Sequence, residues 1–130
     1  AAPFIAGLSY ALLTANLLYI NQFPDRAADM SAGKLHWVAR LEVSKARWGY
    51  VLIVALVYIW LVASALLGWL PMLSLLALLA LPLSIKAASE LLHHAAQPQR
   101  LADAIKLTIA AMMAHGALLS LALIFSRGNT

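Results

Sequence analysis

The sequence predicts an all-α integral membrane protein with four spanning helices, and three observations predict it. Hydrophobic residues make up 64% and charged residues 11% of the 130 positions, and the mean hydropathy is +0.87, outside the range of water-soluble domains. The apolar residues fall into runs of the length a bilayer demands, roughly 20 residues at 1.5 Å of rise each. The Lys and Arg residues gather in the connections on one side of those runs, the distribution that orients a multi-pass chain.

The first span runs from about Phe4 to Phe23 without a charge. Its length and uncharged flanks do not fit a cleaved signal peptide, so it reads as mature structure. The chain opens at Ala1 rather than Met and reads as cut from something longer. The second span runs from about Trp48 to Trp69, with a tryptophan at each end as an interfacial anchor. The third runs from about Met72 to Leu92. No charge lies between Arg47 and Lys86, too long for one helix, and Gly68-Trp69-Leu70-Pro71 is the one turn signal inside that stretch. A tight hairpin of the second and third spans follows. The fourth span covers about Leu107 to Ser126.

Arg26, Lys34, Arg40, Lys45 and Arg47 lie between the first and second spans, and Lys86, Arg100 and Lys106 lie in or beside the connection between the third and fourth. The Gly68 turn has no cation and the C-terminal tail has Arg127. This bias places the first connection on the cytoplasmic face of the cell's inner (plasma) membrane and both termini outside. With no cysteine, disulfides, thiolate metal sites and cysteine nucleophiles are excluded. A nucleic-acid partner is not expected.

The chemistry gathers at NQFPDRAADMSAGK, residues 21 to 34, directly after the first apolar run. Helical residues four apart are about 40° apart around the axis, so Asn21, Asp25 and Asp29 share an arc of about 80°. Carboxylate and amide oxygens are hard ligands of the kind Mg²⁺ takes, with substrate phosphate and water completing its shell. Two acids are too few for a closed metal cage, which points to a metal shared with an anion. Lys34 and Arg40 could neutralise the rest of a diphosphate. Pro24 is expected to kink or end the helix before Asp25, and Gly33 to break it again. The plainer alternative is a solvated helix cap with Asp25 or Asp29 paired to Arg26 or Lys34. Asn21, inside the apolar boundary and in register with both acids, favours a polar cavity.

LLYINQFPDRAADMSAGKLHWVARL, residues 17 to 41, resembles the second aspartate-rich motif of the UbiA-type membrane prenyltransferases. The positions that carry the resemblance are Asn21, Asp25, Asp29, Gly33, Lys34, Val38, Arg40 and Leu41. Within that superfamily the NQFPD opening and the VARL ending are most similar to the 1,4-dihydroxy-2-naphthoate polyprenyltransferases of menaquinone biosynthesis. The pattern departs from the family at Leu35-His36-Trp37, where a Thr-containing segment is common, and at Glu42, where a Gly is.

The resemblance implies that residues 1 to 130 are the C-terminal half of a larger bundle of about nine helices, a fold-level analogy. It implies a second acidic motif in an N-terminal half, Mg²⁺ as cofactor held by Asp25, Asp29 and Asn21, and polyprenyl diphosphate as donor. Asp25 and Asp29 are then the catalytic residues, and Lys34 and Arg40 bind the diphosphate. The expected reaction transfers the polyprenyl group to an aromatic acceptor, 1,4-dihydroxy-2-naphthoate, with 4-hydroxybenzoate or another ring as the alternative. This half alone is expected to be inactive. A four-helix cation transporter or a scaffold subunit is the non-enzymatic alternative.

Other polar residues have plainer readings. Tyr19 faces away from Asn21 and reads as packing or an interior hydrogen bond, with substrate contact as the alternative. Asn16 could line the same cavity or bond between helices. Lys86 and Glu90 are spaced for a pair, with a diphosphate or an acceptor carboxylate as the alternative for Lys86. His93 and His94 read as solvated, and His115 as a hydrogen-bonded structural residue inside the bundle.

Overall fold

In a computed structural model that describes residues 1–127, the chain is all-helical, with four helices long and apolar enough to cross a membrane. The last three residues of the expected 1–130 unit lie outside the described residues. Helix α1 spans Ala2–Ser31, the single turn α2 Trp37–Arg40 and α3 Val43–Leu66. A 3₁₀ segment, Met72–Ala80, runs into α4, Leu81–His94; a 3₁₀ turn at Pro98–Arg100 then leads to α5, Ala102–Arg127. Neighbours in sequence pack side by side, and α5 returns against α1, so the four long helices close into a ring. This is the up-and-down arrangement that short connections impose.

The buried stripe of α1 is Ala6, Ser9, Leu13, Asn16, Ile20 and Phe23. Its alternating steps of three and four keep one face on the bundle axis, as in a left-handed coil. Small and hydroxylated residues dominate the opposing stripes: Ser84 and Ala87 on α4, and Ala104, Thr108, Ala111 and Ala122 on α5. Leucines such as Leu52, Leu66 and Leu79 are exposed, since lipid rewards apolar side chains as well as a core does and close helix approach calls for small ones.

The third span departs from the expected single α-helix. Met72–Ala80 is 3₁₀, and its buried residues, Ser74, Ala77 and Ala80, recur every third position. That period suits the three-residue turn, which stacks the small residues on one edge while Leu73, Leu76 and Leu79 are exposed. The hairpin before it is as expected. Gly68 has φ 79, Trp69 N–H donates to Ser64 C=O at 2.9 Å and Gly68 N–H to Ala65 C=O at 3.2 Å, a Schellman ending that needs a residue without Cβ strain.

Helix α1 corrects a second expectation. It runs unbroken through Pro24 to Ser31, so Pro24 does not end it and both aspartates are on the spanning helix itself. Proline removes one N–H, a loss spanning helices tolerate, and Ile20 and Phe23 are fully packed on its inner face. Gly33 breaks the chain as expected, with φ 78. Lys34 N–H reaches Asp29 C=O at 2.8 Å and Gly33 N–H reaches Met30 C=O at 3.1 Å, a second Schellman ending.

Polar side chains inside the bundle tie helices together. Ser9 donates its hydroxyl to Ala6 C=O, so it accepts from Nε2 of buried His115 at 2.9 Å. Thr108 donates to Ala104 C=O, so Tyr50 is the donor in the 2.7 Å bond between their hydroxyls. Asn16 donates to Tyr50 C=O at 3.3 Å, which settles its role as an interhelical bond, and Tyr19 donates to Ala46 C=O at 2.6 Å.

Candidate functional site

The site is built at the C-terminal end of α1 and the connection that folds back on it. Because α1 stays helical through residues 21 to 29, Asn21, Asp25 and Asp29 occupy successive turns on one face. Asn21 and Asp29 are half-buried and Asp25 is exposed. Asn21 donates Nδ2 to Leu17 C=O at 2.9 Å, leaving its oxygen available.

Gly33 reverses the chain, and α2 is clamped beside the helix it has just left. Val38 and Ala39 are buried. Arg26 fixes the clamp, donating Nε to Val38 C=O at 3.0 Å and Nη2 to Leu41 C=O at 3.2 Å. These carbonyls belong to the single turn of α2 and to its C-cap, where a helix leaves acceptors unused and concentrates negative partial charge. The guanidinium is thus committed to the connection, and the alternative in which Arg26 pairs with Asp25 or Asp29 is not what forms. Lys34, too, makes no ion pair with either acid among the described residues.

Asp29 is instead held by His36, whose Nε2 is 3.0 Å from Oδ2. The other ring nitrogen, Nδ1, accepts Ala39 N–H at 3.1 Å and caps α2. With Nδ1 accepting, the neutral ring carries its proton on Nε2 and donates it to the carboxylate. His36 also lines a 210 Å³ pocket with Leu35, Trp37 and Arg40. The connection therefore brings His36 and Arg40 to one concavity, with Asp29 on its edge through the hydrogen bond.

Among the described residues, no group of three or more His, Cys, Asp and Glu side chains could hold a metal alone. The set present is Asp25, one oxygen of Asp29 that His36 does not use, and the Asn21 amide oxygen. All are hard oxygen donors, the chemistry Mg²⁺ takes when it binds through one or two carboxylates. The residues fit a partial shell. Sequence reasoning missed His36; its one local sign is a histidine placed just past the glycine that reverses the chain.

Elsewhere, the expected Lys86–Glu90 pair is not formed. Glu90 is 3.7 Å from His94, and His94 also meets Gln97 at 3.3 Å, so the second connection closes on itself. His93 is exposed, as expected. A larger cavity of 550 Å³, lined by residues including Pro3, Tyr10, Gly116 and Ser120, opens at the opposite membrane end from the acids. Comparison with family models, with curated proteins and with solved structures gives no match.

Proposed function

We propose that this chain is the second half of a UbiA-type aromatic prenyltransferase and supplies one side of a metal–diphosphate clamp. The observation that carries the reading is the Asp29–His36 contact on a connection strapped to α1 by Arg26. It sets hard oxygen donors and cationic groups on one membrane-end surface, where an allylic diphosphate with its tail in lipid would present its head.

In this reading Asp25, Asp29 and Asn21 hold Mg²⁺, which supplies positive charge against the diphosphate leaving group. Asp29 is oriented by His36 before any ligand arrives. Lys34 and Arg40, both exposed, donate to the remaining diphosphate oxygens. The allylic C–O bond to the diphosphate breaks and the prenyl carbon bonds to an aromatic ring, which releases its carboxylate as CO2 when 1,4-dihydroxy-2-naphthoate is the acceptor and a ring proton when 4-hydroxybenzoate, the alternative, is. The other acidic motif comes from an N-terminal half in a bundle of about nine helices, the fold-level part of the analogy, and the motif faces the cytoplasm.

The test is a radiolabelled prenyl-transfer assay on the enzyme containing this chain, with naphthoate and benzoate acceptors. Asp25→Asn and Asp29→Asn should each abolish transfer while membrane insertion and expression stay intact. Full activity of both variants at limiting Mg²⁺ would sink the assignment.

A further inference from the structure

A second charged groove lies away from the aspartate motif, between α4 and α5. It has a volume of 460 Å³ and is lined by Lys86, Glu90, Asp103, Lys106, Leu107 and Ala110. Two cations and two acids line it, and no two of these four are ion-paired with each other among the described residues. Glu90 touches His94 at 3.7 Å.

Their order along the membrane normal is the informative feature. Helix α4 ends at His94 and α5 starts at Ala102, so the connection between the two spans is their water-facing end and both helices run from it toward the bilayer centre. On α4, Lys86 is four residues deeper than Glu90, about 6 Å at helical rise; on α5, Lys106 is three residues deeper than Asp103, about 4.5 Å. Both helices therefore place the lysine toward the bilayer centre and the acid toward water. A lone lysine would be expected to lie at or beyond the acids, since long cationic side chains reach for the interface.

We infer that this groove binds the headgroup of a zwitterionic phospholipid with a primary ammonium, of the phosphatidylethanolamine class. Such a headgroup has the inverse order: its phosphate joins the acyl chains and lies deeper, and its ammonium is farther out. Lys86 and Lys106 meet the phosphate oxygens with charge-assisted hydrogen bonds, and Glu90 and Asp103 accept from the ammonium. Leu107 and Ala110 continue the groove into apolar surface beside exposed Ile85 and Ile109, where an acyl chain lies. A trimethylammonium headgroup has no N–H to donate. A purely anionic headgroup would face two carboxylates without compensation.

The test is native mass spectrometry of the purified protein containing this chain, titrated with phosphatidylethanolamine, phosphatidylcholine and phosphatidylglycerol of identical acyl chains, and with soluble phosphoethanolamine as competitor. Phosphatidylethanolamine should be retained about tenfold better than the other two, given the charge-assisted bonds it alone completes. Lys86→Gln with Lys106→Gln should lower its retention about thirtyfold, at the usual worth of two basic residues against lipid phosphate. Lys86→Arg with Lys106→Arg should keep it, as should Lys45→Gln, and Glu90→Gln with Asp103→Asn should move the preference toward phosphatidylglycerol. Equal retention of the three lipids by the unaltered chain overturns the proposal without reference to any variant's folding. Displacement of bound lipid by phosphoethanolamine at equal concentration overturns the lipid assignment in favour of a soluble phosphoamine. The readout needs neither Mg²⁺ nor prenyl donor, so it stands or falls separately from the prenyltransferase reading.

Discussion

His36 holds Asp29 with one ring nitrogen and caps α2 with the other, at 3.0 Å and 3.1 Å. The two bonds fix the ring's tautomer and its orientation, and through them the carboxylate. A metal-binding acid supported in this way usually loses about 10- to 100-fold in metal affinity when its partner is removed. Under the proposed prenyltransferase reading, His36→Ala should therefore raise the Mg²⁺ concentration for half-maximal prenyl transfer by about that factor. It should also cost about 1 kcal/mol of stability through the lost cap. His36→Asn can still cap α2 but is too short to reach Asp29, so it should reproduce the Mg²⁺ shift with little change in melting temperature. A melting temperature lowered equally by both variants, with the Mg²⁺ requirement unmoved, would mean the ring matters only as a cap.

Arg26 is the strap that makes this arrangement persistent. Hydrogen bonds from a charged donor contribute about 1.5–3 kcal/mol each, and Arg26 makes two to the backbone around α2. Arg26→Gln should let α2 open at least about tenfold more often by the same scale. Hydrogen exchange at the Ala39 and Leu41 amides measures this directly, and it should rise while the amides of α3 stay protected. Exchange unchanged at both amides would show that burial of Val38 and Ala39 suffices to hold the turn.

These two contacts mark where the sequence stops being legible. The four spans, the Gly68 hairpin and the break at Gly33 are written in local terms: apolar run length, absence of charge, and a glycine where φ must be positive. Asn21, Asp25 and Asp29 share a face because spacing alone dictates it. Pro24 misleads, because its local preference against helix is outweighed by the packing of Ile20 and Phe23 on the turn that precedes it. The Asp29–His36 contact is closed by a reversal whose exit direction depends on two chain-end hydrogen bonds, and spacing cannot supply that direction. The 3₁₀ stretch is an intermediate case. The recurrence Ser74, Ala77, Ala80 is visible in the sequence, but it also fits an α-helix with a small-residue edge.

Inside the bundle, Ser9 is the only hydrogen-bond acceptor for the His115 Nε2 proton among the described residues. Nδ1 has no partner, so loss of the Ser9 hydroxyl would strand the second ring nitrogen as well. Ser9→Ala should thus cost about 1 kcal/mol, the upper range typical of interhelical bonds in lipid. Ser9→Ala combined with His115→Leu should be more stable than Ser9→Ala alone, because no polar group is then left stranded. Thermal unfolding in mixed micelles measures both. A double variant less stable than the single one would assign the imidazole a packing role through its edge contact with Tyr58, where ring centroids are 5.7 Å apart.

Two glycines on the spanning helices each lie against a tyrosine ring of α1. Gly49 on α3 lies under the Tyr19 ring of α1, so a methyl group there would collide with the ring and its hydroxyl. Gly116 on α5 lies under Tyr10, where an added Cβ would be 2.8 Å from Cε2. The contacts look alike, but the tyrosines differ in freedom. Tyr19 is tied to Ala46 C=O at 2.6 Å and stacks edge-on against buried Phe23 at 5.8 Å, so it cannot swing without losing both. Tyr10 is 38% exposed, and its ring can turn toward lipid. Replacing a helical glycine by alanine gains about 0.5–1 kcal/mol of backbone entropy, whereas overpacking costs about 1–3 kcal/mol. Gly49→Ala should therefore destabilise the bundle, and Gly116→Ala should be neutral within about 1 kcal/mol on the same scales. Adding Tyr19→Ala to Gly49→Ala relieves the collision, so its further cost should be smaller than that of Tyr19→Ala in the unaltered chain. A strictly additive double variant would mean that α3 shifts as a unit to admit the methyl group.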